Sequence, residues 1–287
     1  MNVHHRDNKR LGILFITISS FCLALMSMLV KKLGHLPIME IMFFQNLPAM
    51  VIMPIILMKM RIPIFGNNKP FLLINGFISL FAQLTKYYTY TVMLLADATI
   101  IHRLSPFIVF FLSGIFLKEK LYFRRIPILL LAFLGGLLVI KPGFQNELFP
   151  YLVALIAAVF ISFSHINMRY LRLSDHYLVI TNTISYISGI GSFIILFLQN
   201  NYQPPDLLEF LLLISIGLVA IIAWTTLIKA FQLAEANVLS LYTYSQIVFA
   251  SIFGLIFFQE FPDYLSIIGG ILIIISGYLN YRLKKKV

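Results

Sequence analysis

The run LGILFITISSFCLALMSMLV fills residues 11–30 and carries no charged side chain over its 20 positions. A helix needs about 20 apolar residues to cross the hydrocarbon core of a bilayer. Arg6, Lys9 and Arg10 precede the run, as basic residues precede the apolar segment of a secretory signal peptide. The run is longer than the roughly 7–15 apolar residues of such a signal, and it lacks a small-residue cleavage motif. We therefore interpret it as a first transmembrane helix that is retained in the protein.

Nine further runs of this kind fill the rest of the chain. They predict spans at 37–58, 70–94, 96–117, 121–140, 148–170, 177–198, 207–228, 235–259 and 261–280. The chain is 60% hydrophobic and has a mean hydropathy of +0.92, which is more apolar than a typical soluble domain. The sequence therefore predicts an all-α integral membrane protein of ten transmembrane helices.

Lysine and arginine are distributed unequally between the two sides of these spans. With the N-terminus inside, 17 of the 22 basic residues fall in inner segments and three, Lys31, Lys32 and Lys141, in outer ones. Inner loops of membrane proteins carry such an excess, so we expect both termini to be cytoplasmic, in a bacterial-type inner membrane. The net charge of +11 lies at membrane edges and not on one soluble face, so nucleic acid is not an expected partner.

The two halves of the chain share landmarks. A shift of 138 residues aligns Ala96-Asp97-Ala98 with Ala234-Glu235-Ala236, and a shift of 141 aligns Lys118-Glu119 with Gln259-Glu260. Because each half would hold five helices, an odd number, the second half must enter the membrane from the opposite side. Inverted repeats of this kind are typical of secondary transporters, with the site between the repeats. The predicted repeats are residues 1–144 and 145–287.

These segments resemble the EamA-type family of the drug/metabolite transporter superfamily. The similarity is carried by Ser105-Pro106-Phe107, by the run from Phe116 to Leu121, by Tyr242-Thr243-Tyr244 and by the run from Glu40 to Gln45. The resemblance covers nearly the whole chain. It implies a ten-helix transporter with two five-helix repeats, and the branches most similar in pattern carry S-adenosylmethionine, riboflavin or amino-acid-like metabolites. The family often has arginine at the position of Gln45.

Several ionisable and polar residues fall inside predicted spans. Gln83, Lys86 and Tyr90 are spaced i, i+3, i+7 and so share one face of the third helix. His102 and Arg103 lie at a similar depth in the fourth helix. A charge inside the bilayer is costly and marks a functional candidate. Two cations at one depth repel each other unless an anionic group lies between them; alternatively, both side chains extend to the headgroups.

We predict a central cavity, lined by helices 2, 3, 4 and 9, that binds a substrate carboxylate through Arg103 and Lys86. Tyr242 and Gln246 are expected to share a face of helix 9, although tyrosines can also be interface anchors. Glu40 and His102 are candidates for proton coupling; Glu40 could instead complement a helix dipole. The predicted wall comprises Gln45, Gln83, Lys86, Tyr90, His102, Arg103, Tyr242, Tyr244 and Gln246.

The function predicted from these features is secondary transport of a small organic metabolite that carries a carboxylate, such as an amino-acid-like or S-adenosylmethionine-like compound. A broad-specificity drug/metabolite exporter is the alternative. An intramembrane enzyme would need a motif such as HExxH or Gly-x-Ser-x-Gly, which the sequence lacks, and the inverted repeat argues against a lipid-handling protein. We expect no cofactor and no metal, a monomer or weak homodimer, and compensation of Glu119 by Lys118 and Lys120.

Overall fold

The computed structural model describes residues 8–92, 95–140, 148–259 and 264–283. Its first-half helices are α1 Lys9–Lys32, α2 Ile38–Lys59, α3 Lys69–Val92, α4 Leu95–His102, α5 Ser105–Phe116 and α6 Ile126–Ile140. Those of the second half are α7 Leu148–Tyr170, α8 Tyr177–Gln199, α9 Leu207–Leu233, α10 Ala236–Leu239, α11 Ser245–Phe258 and α12 Tyr264–Leu283. Short 3₁₀ helices occupy Phe123–Arg125, Leu171–Leu173 and Ser240–Tyr244.

Nine stretches of the described chain are long and apolar enough to cross a membrane. Helices α4 and α5 contribute one of them, Ala98–Phe116, and α10 with α11 contributes another, Ala236–Phe257. Helix α3 is the tenth; its 24 residues suffice in length, but Asn75, Gln83 and Lys86 make it less apolar. The predicted all-α membrane fold with ten spans is thereby confirmed.

The most extensive helix–helix contacts recur when the two halves are exchanged. Helix α1 packs against α9 and α11, and its counterpart α7 packs against α3 and α5. Helix α2 packs against α9 just as α8 packs against α3, while the pairs α2 with α8 and α6 with α12 map onto themselves. A two-fold axis that relates the halves requires this pattern, so the five-helix repeats predicted from the sequence are visible in the contacts.

Close helix packing holds α6 against α12 at glycine positions. A Cβ atom on Gly135 would lie 2.7 Å from the carbonyl oxygen of Gly269, and one on Gly269 would lie 2.9 Å from Val139. Small residues of this kind allow backbones to approach closely inside a membrane. The pair of α6 and α12 is therefore tightly packed along one side of the bundle, next to the helices that carry the polar site.

The fourth helix of each repeat is broken near its middle. Helix α4 ends at His102 and α5 begins at Ser105, with Pro106 in the first turn of α5. Proline has no N–H to continue the helical bonding. In the second repeat the 3₁₀ helix Ser240–Tyr244 separates α10 from α11. We call the end of the bundle that holds Lys9 and Leu283 the terminal face, and the other end the opposite face.

Candidate functional site

The two helix breaks meet, and Arg103 joins them. Its guanidinium donates through Nη1 to the carbonyl oxygen of Thr243 at 3.3 Å and through Nη2 to Oε1 of Gln246 at 3.0 Å. In return, the hydroxyl of Tyr244 donates to the carbonyl oxygen of Arg103 at 2.6 Å. In a continuous α-helix the N–H of Phe107 would donate to the carbonyl oxygen of Arg103. Here it donates to the carbonyl oxygen of Leu104, so the Arg103 carbonyl can accept from Tyr244. The broken backbone of each repeat is thus hydrogen-bonded by the other repeat.

Helix α3 brings a second set of polar side chains towards this junction. Thr89 Oγ1 lies 3.3 Å from His102 Nε2, next to Lys86 in the same helix. Lys86 and Arg103 both lie within electrostatic range of the His102 ring. His102 is 6% exposed and both cations are half-buried. The structure therefore brings Lys86, His102 and Arg103 into one neighbourhood, where the positive charges of Lys86 and Arg103 add.

The two glutamines of the predicted wall are bonded to other helices of the bundle. Gln83 Nε2 donates to the hydroxyl of Ser188 in α8 at 2.9 Å, and its buried Oε1 has no partner among the described residues. The hydroxyl of Tyr87 donates to Gln45 Oε1 in α2 at 3.0 Å. Sequence reasoning missed Tyr87, although it lies four residues after Gln83 and therefore on the same helix face.

Tyr242 is directed away from Arg103. Its hydroxyl donates to the carbonyl oxygen of Gly277 in α12 at 3.0 Å. We expected Tyr242 and Gln246 to share a face because we assumed α-helical spacing. The chain at Ser240–Tyr244 is a 3₁₀ helix, which has about three residues per turn and so points side chains in other directions. The side chain of Tyr90 lies outside the described residues.

His165 of α7 also belongs to this neighbourhood. It lies within electrostatic range of Arg103, and its ring stacks on Phe231 with centroids 4.5 Å apart. Its Nδ1 is buried without a hydrogen-bond partner in the described part of the chain. Because it is contributed by the second repeat, His165 completes a polar centre to which both repeats contribute.

A buried ion pair fastens the two repeats together at the terminal face. Arg169 at the end of α7 donates through Nε to Glu119 Oε1 at 3.1 Å and through Nη1 to the carbonyl oxygen of Gln232 at 3.0 Å. The amide nitrogen of Ala236 and the Asn237 side chain, each at 3.2 Å, also donate to the Glu119 carboxylate. Burial raises the pKa of the Glu119 carboxyl above its ordinary value, and the charge of Arg169 opposes that rise.

The expected compensation of Glu119 by its neighbours in sequence is wrong. Lys118 and Lys120 are exposed, and the partner is Arg169, 50 residues further along the chain. Arg125 extends the same network: it donates to Oδ1 of Asn237 and lies 3.8 Å from Glu235 Oε2. The connection between α5 and α6 is thereby tied to the second repeat.

Glu40 has a structural partner at the opposite face. It lies in the first turn of α2 and is fully buried; Oε2 accepts from the amide nitrogen of Gln203 at 3.1 Å. Its Oε1 has no partner among the described residues. Asp175 makes the matching contact at the terminal face, accepting from the amides of Asn67 at 2.6 Å and Asn68 at 3.1 Å. No group of three metal-binding side chains occurs in the described ranges.

Two related halves and a broken helix in each half are features that secondary transporters share. Residues 10–141 and 148–282 each match the model of the EamA-like transporter family, and the chain belongs to that family. The resemblance seen in the sequence is confirmed.

Curated relatives match nearly the whole chain. The pseudopaline exporter CntI of Pseudomonas aeruginosa, strain PAO1, is 29% identical over 283 residues, covering 97% of this chain and 99% of that protein. The S-adenosylmethionine uptake transporter of Rickettsia bellii is 25% identical over 273 residues, covering 89% and 88%. A solved crystal structure with 16% sequence identity superposes with a TM-score of 0.86, over 96% of this chain and 99% of that one; that likeness establishes the fold.

Proposed function

We propose that this protein is a secondary transporter of a small organic metabolite that carries a carboxylate, and that Arg103 is the residue that binds the carboxylate. The observation that carries the proposal is the position of Arg103, a half-buried cation at the point where the broken helices of the two repeats meet. Broken helices near the middle of the membrane form the substrate sites of many secondary transporters.

The chemistry of the centre favours an anionic group. Lys86 and Arg103 place two positive charges beside His102 in a region of low dielectric constant, where an anion between them relieves repulsion. A guanidinium is a planar fork that can hold a carboxylate with two parallel hydrogen bonds. The names of the two relatives, an exporter of pseudopaline and an uptake transporter of S-adenosylmethionine, support a small metabolite as the substrate.

Substrate binding at Arg103 would be coupled to movement of the repeats. The guanidinium now holds Thr243 and Gln246 of the second repeat. A carboxylate that competes for these donors weakens the link between the two breaks, so occupancy changes the balance between conformations. The Glu119–Arg169 network links the two repeats at the terminal face. It has to part when the substrate passes to that side.

We place the protein in a bacterial inner membrane with the terminal face in the cytoplasm. Exposed Lys59, Lys69, Arg124 and Arg282 all lie at that face, and such an excess is typical of the cytoplasmic side.

The test is transport of a labelled metabolite panel by the purified protein in proteoliposomes, measured for uptake and efflux. Arg103→Gln should lower transport of carboxylates at least tenfold, since charged hydrogen bonds contribute about 1.5–3 kcal/mol. Arg124→Gln, which removes an exposed charge at the terminal face, is the matched control and should transport normally. Amidation of the substrate carboxylate should reproduce the loss in the wild type. Equal transport by both variants, or a preference for cationic substrates, would refute the proposal; a broad-specificity exporter would accept the amides unchanged.

A further inference from the structure

An apolar groove of about 390 Å³ lies between α1, α11 and α12, apart from the Arg103 centre. Helix α11 packs closely on α1 but makes few contacts with α12, and the groove is the space left between α11 and α12. Its walls include Ile13, Tyr242, Phe249, Ile273, Tyr278 and Tyr281. Between Ile273 and Tyr281 the groove extends about 12 Å along α12, at 1.5 Å per residue. It therefore reaches from the terminal face towards the middle of the membrane.

Two polar side chains of the lining, Tyr242 and Ser245, are satisfied within the protein. The Tyr242 hydroxyl donates to the carbonyl oxygen of Gly277 at 3.0 Å, and the Ser245 hydroxyl donates to the carbonyl oxygen of Tyr242 at 2.6 Å. The groove thus presents mainly hydrocarbon to an occupant. A polar solute would lose its hydrogen bonds to water there and gain few in return, so the body of a fitting ligand is an alkyl chain.

Two cations lie where the groove meets the terminal face. Lys9 precedes Ile13 by four residues and so lies on the same side of α1. Its ammonium is 5.3 Å from the centre of the Tyr281 ring, and the Arg282 guanidinium is 5.2 Å from the centre of the Tyr278 ring. Both tyrosines line the groove. The positive charges are therefore at its mouth, at the depth of lipid headgroups.

We propose that this groove binds one acyl chain of an anionic phospholipid, with the phosphate held by Lys9 and Arg282. Basic pockets between transmembrane helices recognise anionic headgroups in this way. Lys9 also contacts the carbonyl oxygens of Asn280 and Tyr281 at 3.5 and 3.4 Å. These contacts hold the Lys9 ammonium at the end of α12, beside the Tyr281 ring and the mouth of the groove.

The bound lipid would touch the same turn that holds the candidate transport site. Tyr242 lines the groove, while the next two residues, Thr243 and Tyr244, bond to Arg103. A chain that fixes Tyr242 against Gly277 also fixes the 3₁₀ helix in the position that holds Arg103. This consequence rests on the proposed function, whereas binding of the lipid does not.

The test is native mass spectrometry of the full chain in detergent, with phosphatidylglycerol or phosphatidylcholine of identical acyl chains. The wild type should bind the anionic lipid more tightly, by about fivefold for each of the two charges. Lys9→Gln with Arg282→Gln should reduce binding of phosphatidylglycerol to the level of phosphatidylcholine. Lys59→Gln with Arg124→Gln removes two exposed charges elsewhere on the terminal face and should leave the preference intact.

A steric variant tests the groove separately from the charges. A Cβ atom on Gly277 would lie 3.7 Å from the Tyr242 ring, an ordinary contact. Gly277→Leu should therefore fold, fill the groove and weaken binding of both lipids. If the double charge variant is unstable, Arg282→Gln alone should lower phosphatidylglycerol binding about fivefold. The proposal would be overturned if the wild type bound the two lipids equally or if the two double variants lost affinity equally. Unchanged binding by Gly277→Leu would also overturn it. None of these outcomes depends on the transport measurements.

Discussion

The Tyr244 hydroxyl donates a 2.6 Å hydrogen bond to the carbonyl oxygen of Arg103, and each residue lies at the break in the fourth helix of its own repeat. Tyr244 is fully buried. Tyr244→Phe removes the donor and leaves that carbonyl unpaired, so the free energy of unfolding should fall by about 1 kcal/mol. The free energy of unfolding can be measured by titrating the detergent-solubilised protein with SDS. Tyr278→Phe changes an exposed tyrosine and should be neutral; an equal effect of the two changes would contradict this role for Tyr244.

The helices follow from continuous apolar runs, and the repeats from landmarks that recur in the second half of the sequence. Apolar runs predict spans because lipid is their only good solvent, and loop charges predict orientation. The site depends on contacts that such patterns do not contain. Glu119 and Arg169 meet because α5 and α7 pack together, and Tyr242 diverges from Gln246 because one turn is 3₁₀. The sequence did indicate Lys86, His102 and Arg103 as site residues, because ionisable side chains inside a membrane are energetically costly and mark functional candidates.

Breaking the Glu119–Arg169 pair should open the terminal face. The two side chains are 8% and 3% exposed, and removing one partner of a buried pair typically costs about 3–5 kcal/mol. Spin labels can be attached at Lys120→Cys and Leu173→Cys in a Cys22→Ala background. In Arg169→Gln, double electron–electron resonance should report a longer distance between the two labels than in the parent. Arg124→Gln serves as the exposed control. Unchanged distances in Arg169→Gln would show that the pair does not hold this face closed.

Acid should favour the closed terminal face. Burial raises the pKa of the Glu119 carboxyl in this state, and solvent would return it towards the ordinary value when the face opens. A raised pKa means that the closed state binds the proton more tightly. The free energy by which protonation favours the closed state over the open state is therefore fully present at low pH. It is lost as the pH rises through the raised pKa of Glu119. The same spin labels should show more of the open state at higher pH. Glu119→Gln should abolish that dependence; a dependence of the opposite sign would contradict the argument.

The orientation of the protein can be tested with thiol labelling. Cysteines at Lys69 and Arg124, both exposed at the terminal face, should resist an impermeant reagent added outside intact cells that carry the Cys22→Ala variant. A cysteine at Tyr202, 57% exposed at the opposite face, should react. Arg125 is unsuitable because its side chain is buried. Labelling of the Arg124 site from outside would reverse the orientation that the loop charges predict.

Glu40 and Asp175 make a matched pair for testing proton coupling. Each accepts backbone amides from a loop of the other half, Glu40 at the opposite face and Asp175 at the terminal face. Glu40 is fully buried, and its Oε1 has no partner among the described residues. Such a carboxyl can gain and lose a proton as the opposite face opens to water.

If Glu40 carries the proton, Glu40→Gln should abolish the stimulation of transport by a pH gradient while leaving exchange of labelled for unlabelled substrate unchanged. The amide oxygen can still accept from Gln203, so the fold should survive the change. Asp175→Asn should retain the stimulation, because both of its oxygens are already used by Asn67 and Asn68. Both measurements use the same proteoliposomes, with and without an imposed gradient. Full stimulation in Glu40→Gln would exclude Glu40 and leave His102 as the remaining candidate for proton coupling.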